Sequence, residues 1–270
     1  MEEPGYPIGR RALELCGLRV VPVRVDEDGL DITNGIEKCP EASLVLVTPG
    51  QQAPLGMTMA AARRAALLNW ANSSGAWIIE DDFLGDLQID GRAEPSLAST
   101  DKSGRVIYVG SFSKTMSPAL GLGFLVAPHH MVQQFSEVAV CLAPALNTTT
   151  QRALAEFLSE GHYMRHLRRM KTLYSSRREH LLRSLQRHLQ TGGISVRSSG
   201  LAIKLLLPPN FDDVQIAAEA ARQALAPIPL SPWYAEEGRE FRGLLLGVTN
   251  FVGKNAQSWC DTLKDLISRS

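Results

Sequence analysis

The chain has 270 residues, which is enough for one large domain or two smaller ones. Hydrophobic residues make up 44% and charged residues 21%, as in ordinary globular proteins, and the formal net charge at pH 7 is zero. The composition therefore gives no general electrostatic reason to expect nucleic acid or an acidic membrane as a partner. No apolar run is long enough to cross a bilayer, and the segment "MEEPGYPIGRR" lacks the apolar stretch of a signal peptide, so we expect a cytoplasmic protein without membrane contact.

The four cysteines are far apart along the chain, at Cys16, Cys39, Cys141 and Cys260. None forms a CxxC pair or has metal-ligand spacing with a histidine. We therefore expect free thiols in a reducing compartment, and no metal site.

The first half of the chain alternates helical and strand-like segments. "RRALELCG" predicts a short helix, and "SLVLVTPG" predicts a buried strand that ends at proline and glycine. "MTMAAARRAALLNWANSSG" predicts a helix with Thr58 as its N-cap and Gly75 at its C-terminal end. "AWIIEDD", "RVIYVGS" and "GLGFLVAP" predict three further strands. This alternation is typical of a largely parallel α/β sheet that is buried on both faces.

Polar side chains follow two of these predicted strands. Asp81 and Asp82 end the first, while Ser111, Ser113 and Lys114 follow the second. Ligands of open α/β sheets bind outside the carboxyl ends of the strands. We therefore expect these side chains to line one cleft.

The second half begins with a long basic segment, "HYMRHLRRMKTLYSSRREHLLRSLQRHL", which predicts one helix with a single apolar stripe. Its basic face suits contact with solvent; DNA is the alternative, although no aromatic or glycine-rich nucleic-acid motif accompanies it. Strands and helices of similar size follow and predict a small α+β domain. We place the large α/β domain at residues 1–172 and the small domain at residues 173–270.

Lys114 lies in "GSFSK", where small and hydroxyl residues follow a buried strand. Such a turn favours a phosphate or oxyanion site built from backbone N–H groups and hydroxyls. A lysine held there in apolar surroundings would have a lowered pKa and could act as an amine nucleophile; a solvated loop lysine is the alternative. SxxK is also a motif of serine β-lactamases, but the SDN and KTG motifs that accompany it there are missing from this sequence.

At this point the sequence resembles a known family. "SFSKTMSPALGLGFLVAP" resembles the cofactor-lysine segment of fold type I pyridoxal-phosphate (PLP) proteins, the aminotransferase class. "EEPGYP", "VTPGQQAPLGMTM", "RRAALLNWA", "WIIEDDF" and "GHYMRHLRRMKTLYSSRR" resemble, in the same order, segments of the aminotransferase-like effector domain of MocR/GabR-type transcriptional regulators. The resemblance spans nearly the whole chain. It implies the fold type I α/β architecture, with a large domain and a small α+β domain, and PLP as cofactor.

The resemblance also implies a role for each of five residues. Lys114 would form the covalent link to PLP and, in an enzyme, move the α-proton of the substrate. Asp81 would pair with the pyridine nitrogen and keep it protonated, which makes the ring an electron sink. Ser111 would donate to the phosphate, Tyr6 would stack on the ring, and Phe83 would pack beside it.

Four departures from the family pattern bear on function. Phe83 replaces a tyrosine that bonds the phenolic oxygen of PLP, and Gly121 replaces a phosphate-binding arginine, a loss that could weaken PLP binding by about 10²- to 10⁴-fold. Leu245 stands where the family has the arginine that holds the substrate carboxylate; Arg242 is close in sequence, but we expect it to face solvent. The strand, helix and Gly/Ser loop that precede "PGY" in the family, and the winged helix-turn-helix of the regulators, are missing from this sequence. We therefore expect an N-terminally truncated large domain and no DNA-binding module in this chain.

Two interpretations stay open. In the first, the chain is a PLP-binding aminotransferase-like domain, either the effector-binding half of a regulator or an enzyme whose expected reaction is transamination. Its ligand would then be a small amino-acid-like molecule. In the second, it is a degenerate relative without cofactor chemistry that acts as a dimerisation or interaction module. The resemblance implies a homodimer.

Overall fold

The structure is a computed structural model that describes residues 1–89, 94–142, 147–190, 192–235, 241–253 and 256–269. Its contacts divide the chain into two compact units. Unit 1 comprises Met1, Val23–Gln52 and Thr58–Lys171. Unit 2 comprises Glu2–Pro22, Ala53–Met57 and Thr172–Ser270. Two segments that the sequence interpretation placed in the large domain, 2–22 and 53–57, thus group with the C-terminal residues.

The elements of the described residues are as follows. The helices are α1 (Pro7–Leu15), α2 (Ile32–Lys38), α3 (Ala61–Ser74), α4 (Leu97–Thr100), α5 (Val132–Leu142), α6 (Thr148–Ser159), α7 (His162–Leu189), α8 (Asp213–Arg222) and α9 (Ala256–Arg269). The strands are β1 (Glu2–Glu3), β2 (Val23–Asp26), β3 (Gly29–Leu30), β4 (Leu44–Val47), β5 (Trp77–Asp82), β6 (Val106–Ser111), β7 (Gly123–Val126), β8 (Ser195–Ser199), β9 (Ala202–Leu207), β10 (Ile228–Pro229) and β11 (Arg242–Gly247).

Unit 1 is built on a four-stranded sheet in the order β4-β5-β6-β7. The β4/β5 and β5/β6 pairs are parallel, and β7 joins β6 antiparallel. The apolar side chains of β4, β5, β6 and α3 pack into one core cluster, with Val47, Leu67 and Ile78 at most 1% exposed. The predicted strands and the largely parallel sheet are confirmed, but the expected burial on both faces is wrong for β7, because this antiparallel strand has all four of its residues exposed.

Helix α3 has the predicted end but not the predicted beginning. Gly75 follows its last residue with φ +74°, a left-handed conformation that glycine adopts without a Cβ penalty. The N-cap is Ala60, which makes no side-chain cap bond. Thr58 was predicted there and is wrong, because its hydroxyl instead donates to the Gly50 carbonyl at 3.1 Å.

Unit 2 contains a four-stranded antiparallel sheet in the order β10-β11-β9-β8. Side chains from this sheet, from α8, from α9 and from the C-terminal part of α7 form a second core cluster that includes Leu205 and Phe251. The basic segment is one 28-residue helix, α7, as predicted, and its stripe residues Leu181, Leu185 and Leu189 are at most 2% exposed. None of the helices in the described ranges has both the length and the apolar character that a membrane crossing requires.

Candidate functional site

The carboxyl ends of β5 and β6 lie side by side in unit 1. The two strands are parallel, with Asp81 directly opposite Val109. Ser111 is two residues beyond Val109 on β6. Alternate residues of a strand project to one face of a sheet, so Asp81 and Ser111 occur on the same face near the same edge. The structure therefore brings these two candidate residues together.

Strand β5 ends in three consecutive acids, Glu80, Asp81 and Asp82, and two of them have structural partners. The buried Glu80 carboxylate accepts bonds of 2.8 and 2.9 Å from backbone N–H groups at the start of α4. Asp82 accepts a 2.6 Å bond from the Tyr108 hydroxyl and a 2.9 Å bond from the backbone N–H of Gly85. These two carboxylates are used to hold neighbouring elements in place.

Asp81 differs from both neighbours. It is partly buried, and within the described ranges no donor or cation pairs with its carboxylate. Burial, with a smaller contribution from Asp82, raises the pKa of Asp81 to about 6. A cation beside the carboxylate would favour its charged form and offset this effect. Asp81 is therefore the acid on β5 that suits a cationic ligand group, such as a protonated ring nitrogen.

Lys114 lies in a tight turn after β6. The backbone N–H of Met116 donates to the Phe112 carbonyl at 2.9 Å, which closes one helical turn around the lysine. The His166 Nε2 of α7 lies 2.9 Å from the Thr115 carbonyl oxygen, which can only accept, so this ring nitrogen donates. The backbone of Lys114 is thus held on both sides, while its side chain is exposed. The apolar surroundings expected around this lysine are not present in the described part of the structure.

Two hydroxyls flank this turn. The Ser111 Oγ accepts a 3.1 Å bond from the backbone N–H of Ser113, which leaves its own hydrogen for an acceptor. Thr115 is 2% exposed, and its Oγ1 has no hydrogen-bond partner among the residues that the structure describes. Leaving a buried hydroxyl unsatisfied costs about 1–3 kcal/mol. Both groups suit a ligand with acceptor oxygens, such as a phosphate.

Two of the residues that depart from the family pattern, Gly121 and Phe83, lie in unit 1. Gly121 ends a short 3-10 turn with φ +59°, and a Cβ built there would meet no atom within 4 Å. There is room for a longer side chain, but the left-handed backbone favours glycine. Phe83 is partly buried just beyond β5 and has no hydroxyl to offer a ligand.

A cavity of about 380 Å³ opens beside Asp82, Tyr108, Gly110 and Phe124. The last three occupy register positions on the sheet face opposite to that of Asp81, although Ser111 at the end of β6 also lines the cavity. Gly110 permits close packing here, since a Cβ would lie 2.3 Å from the Phe124 ring. Neither Asp81 nor Lys114 lines this cavity.

Tyr6 and Leu245 belong to unit 2. Tyr6 precedes α1, is 37% exposed, and its ring centroid lies 6.2 Å from that of Trp233. Leu245 lies in the middle of β11 and is 6% exposed. Because they lie in a different unit from Lys114, their roles toward a cofactor stay predictions.

Arg242 differs from the expectation that it faces solvent. Its side chain is about one third exposed, and its Nη1 lies 3.6 Å from Oδ1 of Asp213. Asp213 is fully buried at the start of α8 and also accepts backbone N–H bonds of 2.8–3.1 Å from Leu230, Ser231 and Gly243. The arginine is thus engaged in holding β11 to α8.

Known proteins of similar sequence and structure identify the family. Residues 1–226 match the sequence pattern of the family described as aminotransferase class I and II. The chain is 33% identical over 265 residues to the probable rhizopine catabolism regulatory protein MocR of Rhizobium meliloti, covering 98% of this chain and 53% of MocR. It is 34% identical over 178 residues to the HTH-type pyridoxine biosynthesis transcriptional regulator PdxR of Corynebacterium glutamicum, covering 66% of this chain and 38% of PdxR.

Among solved structures, the kynurenine aminotransferase of Pyrococcus horikoshii superposes with a TM-score of 0.87 at 23% identity, covering 99% of this chain and 68% of that one. This likeness confirms the predicted fold type I α/β architecture. The chain spans about half the length of the curated relatives it matches. It is an aminotransferase-like domain homologous to the domains of MocR-type regulators. Because the family pattern matches residues 1–226 of its 270 residues, the chain belongs to the aminotransferase class I and II family.

Proposed function

We propose that this chain is the effector-binding domain of a MocR-type regulator and that it binds PLP through Lys114. The relatives MocR and PdxR are named as regulators, and the solved kynurenine aminotransferase holds pyridoxamine phosphate. The ligand sensed with PLP would be a small amino-acid-like molecule. A cytoplasmic homodimer completes the proposal, since aminotransferases are typically dimers.

The residues of unit 1 fit PLP by their chemistry. The Lys114 amine would hold the aldehyde group covalently, and Ser111 would donate to the phosphate. Asp81 would pair with the ring nitrogen, while Phe83 would contact the ring. Bound PLP supplies an electron sink for bonds at the α-carbon of an amino acid.

The observation that carries the proposal is the unpaired carboxylate of Asp81. Glu80 and Asp82 are satisfied by the fold, whereas Asp81 is partly buried, has no cation among the described residues and has its pKa raised to about 6. At neutral pH it is largely ionised and therefore carries a charge that burial disfavours. A protonated pyridine ring would neutralise that charge.

Two departures favour ligand sensing over turnover. Gly121 offers no guanidinium to the phosphate, and Leu245 offers none to a substrate carboxylate. Precise positioning supplies about 7–11 kcal/mol of the rate enhancement in a two-reactant step. If the chain has an activity, transamination is the reaction that its family would lead us to expect, at a reduced rate.

The same two residues favour a second candidate function. Without these arginines, the fold could serve as a dimerisation or interaction module that no longer binds PLP. The unpaired Asp81 and the hydroxyls of Ser111 and Thr115 favour the first candidate. PLP binding separates the two.

The experiment is a titration of the purified chain with PLP near neutral pH, followed by visible absorbance. We expect a saturating signal that is lost in Lys114→Ala. Lys102→Ala removes another exposed lysine of unit 1 and should leave the signal unchanged. Gly121→Arg should strengthen binding by about tenfold, because a charge-assisted bond is gained at some cost in backbone strain. A wild-type chain without a Lys114-dependent signal at millimolar PLP would favour the interaction module instead.

A further inference from the structure

Four aromatic side chains line the cavity of unit 1 that opens beside Asp82. The ring centroid of Phe124 on β7 lies 5.9 Å from that of Tyr108 on β6 and 5.5 Å from that of Phe112. Tyr163, near the start of α7, meets Phe112 edge to face with a centroid distance of 6.0 Å. The four rings thus form one continuous chain of contacts along the cavity.

The register of the strands places a carboxylate beside these rings. Asp82 on β5 is the partner of Gly110 on β6, and Gly110 is the partner of Phe124 on β7. Register partners on neighbouring strands project to the same face, so Asp82 and Phe124 lie on one face of the sheet with a glycine between them. Asp81, the next residue along β5, projects to the opposite face. The cavity is therefore separate from Asp81 and Lys114, neither of which lines it.

The cavity is accessible from solvent. Two of its lining residues, Phe124 and Leu158, are 44% and 41% exposed, whereas Tyr163 is buried. Its volume of about 380 Å³ lies near the lower end of the range for small-molecule sites, about 300–1,000 Å³. The cavity therefore suits a small ligand that enters from solvent.

Asp82 supplies a negative charge to this cavity, and no cation within the described ranges forms an ion pair with it. Arg64, whose charged form Asp82 favours from a distance, donates its N–H groups to three backbone carbonyls instead. The carboxylate oxygens already accept hydrogen bonds from Tyr108 and Gly85. The carboxylate therefore offers a ligand mainly its charge, while aromatic rings attract cations through their faces. This combination favours a cation that needs no hydrogen-bond acceptor, namely a quaternary ammonium group.

We propose that this cavity binds a small quaternary ammonium ion, with Asp82 facing its charge and the four aromatic rings in contact with its methyl groups. Recognition of quaternary ammonium ions by several aromatic rings is a well-established use of the cation–π attraction. The site does not depend on the proposed function. A quaternary nitrogen cannot condense with the aldehyde of PLP, and Lys114 does not line the cavity.

The test compares choline with 3,3-dimethylbutan-1-ol, which has the same shape but no charge. Each is titrated into the isotope-labelled full chain without PLP and followed by NMR. We expect choline to give saturating shifts in the amides of β6 and β7, and the neutral alcohol to bind about tenfold more weakly or less. Asp82→Asn removes the charge and should weaken choline binding by about tenfold. Phe124→Leu removes one ring but keeps an apolar side chain, and it should weaken choline binding by about three- to tenfold.

Matched variants elsewhere in the chain control for the substitutions themselves. Asp28→Asn replaces an exposed acid of unit 1, and Phe241→Leu replaces an exposed phenylalanine of unit 2; both should bind choline like the wild type. Lys114→Ala should also bind choline like the wild type although its PLP signal is lost, and choline binding should persist if the wild type does not bind PLP. A folded wild type that does not bind choline, or binds the neutral alcohol equally well, would overturn the ammonium site. Unchanged choline affinity in Asp82→Asn would do the same, and if that variant does not fold, Phe124→Leu and the neutral alcohol provide the test.

Discussion

The sheets of the two units are built differently, yet each contains a partly buried charge that no opposite charge among the described residues pairs with. In unit 1 the charge is the carboxylate of Asp81, at the carboxyl end of a parallel strand. In unit 2 it is the ammonium of Lys204, in the middle of an antiparallel strand. Burial favours the neutral form of each group, so it raises the pKa of Asp81 and lowers the pKa of Lys204.

The difference between them lies in what surrounds each charge. A strand end such as that of Asp81 is open along the sheet edge, where backbone N–H groups and loop side chains gather. The middle of a strand offers only its face, so the neighbours of Lys204 are the cross-strand residues Arg197 and Leu245. The first arrangement suits a cationic ring nitrogen, whereas the second lies on a sheet face that the chain itself covers at Leu245, which is 6% exposed. The proposed function depends on the charge of Asp81 being unpaired.

Asp213 contrasts with Asp81 and Lys204, because it is fully buried and its carboxylate has hydrogen-bond partners. Its substitution should have the largest effect on the free energy of unfolding. Its Oδ2 accepts three backbone N–H groups, and its Oδ1 accepts the Ser231 hydroxyl at 2.6 Å. Asp213→Asn turns one acceptor into a donor that faces Ser231 and Arg242, and it removes the charge that pairs with the arginine. We expect a loss of about 3 kcal/mol in the free energy of unfolding, measured by urea denaturation.

Asp212→Asn is the matched control for this change. Asp212 is exposed and caps α8 by accepting two backbone N–H bonds of 3.0 Å. Asparagine caps a helix about as well as aspartate, so the variant should lie close to the wild type. Similar stability losses in the two variants would show that the buried bonds of Asp213 do not govern the stability of unit 2.

Replacing Asp81 by asparagine should instead raise the free energy of unfolding. Asp81→Asn removes a charge that burial disfavours, and a shift of the pKa from 3.8 to about 6 corresponds to an upper value of roughly 3 kcal/mol. We expect the variant without PLP to gain roughly 1–3 kcal/mol in the free energy of unfolding at neutral pH. Because the folded pKa lies above the unfolded one, stability is lost as the pH rises through the folded value. The gain should therefore be full above about pH 6 and absent below about pH 4.

PLP titration of the same variant completes this test. The wild type should bind more tightly, since the neutral amide of the Asp81→Asn variant cannot neutralise a protonated ring nitrogen. Asp82→Asn is the control, and we expect no gain in its stability because Asp82 accepts bonds from Tyr108 and Gly85. An Asp81→Asn variant that is less stable than the wild type at neutral pH would mean that Asp81 already has a favourable partner.

Much of unit 1 could be predicted from local sequence. Apolar runs predicted strands β4 to β7, and the rule that parallel strands end at one edge placed Asp81 near Ser111. The hydrogen bond between Tyr108 and Asp82 could not be predicted, because the sequence of a strand does not determine its alignment with the neighbouring strand. The predicted N-cap at Thr58 was wrong because its hydroxyl donates to the Gly50 carbonyl in the preceding loop, a contact that the helix pattern does not show.

In unit 2 the sequence predicted the helices and strands but not how the strands are arranged in the sheet. The long helix α7 and the following strands and helices were evident from their periodicity. The strand order β10-β11-β9-β8 was not, and it alone brings Ile228, Leu245, Lys204 and Arg197 into one row. The ion pair between Arg242 and Asp213 was missed because it joins residues 29 positions apart.

The smallest expected effect concerns the stability of Lys204 variants. Lys204→Met replaces a partly buried ammonium by an apolar side chain of similar length and removes the repulsion from Arg197. We expect the free energy of unfolding to rise by roughly 1 kcal/mol at neutral pH, measured by urea denaturation without added ligand. The folded pKa of Lys204 lies below its ordinary value of 10.5, so its charge destabilises the fold at neutral pH and less so as the pH rises toward that value. The gain should therefore shrink in alkaline solution.

Three further variants determine whether Lys204 matches Asp81 in being unpaired. Arg197→Met should give part of the same gain, and the double variant should gain less than the sum, because the repulsion between the two cations is removed only once. Lys264→Met, on the exposed side of α9, should change stability little. If Lys204→Met is less stable than the wild type, a carboxylate must neutralise Lys204 in the folded chain. Lys204 would then be a paired charge that stabilises the fold, like Asp213. Asp81 would be the one charge of the three without a partner among the described residues.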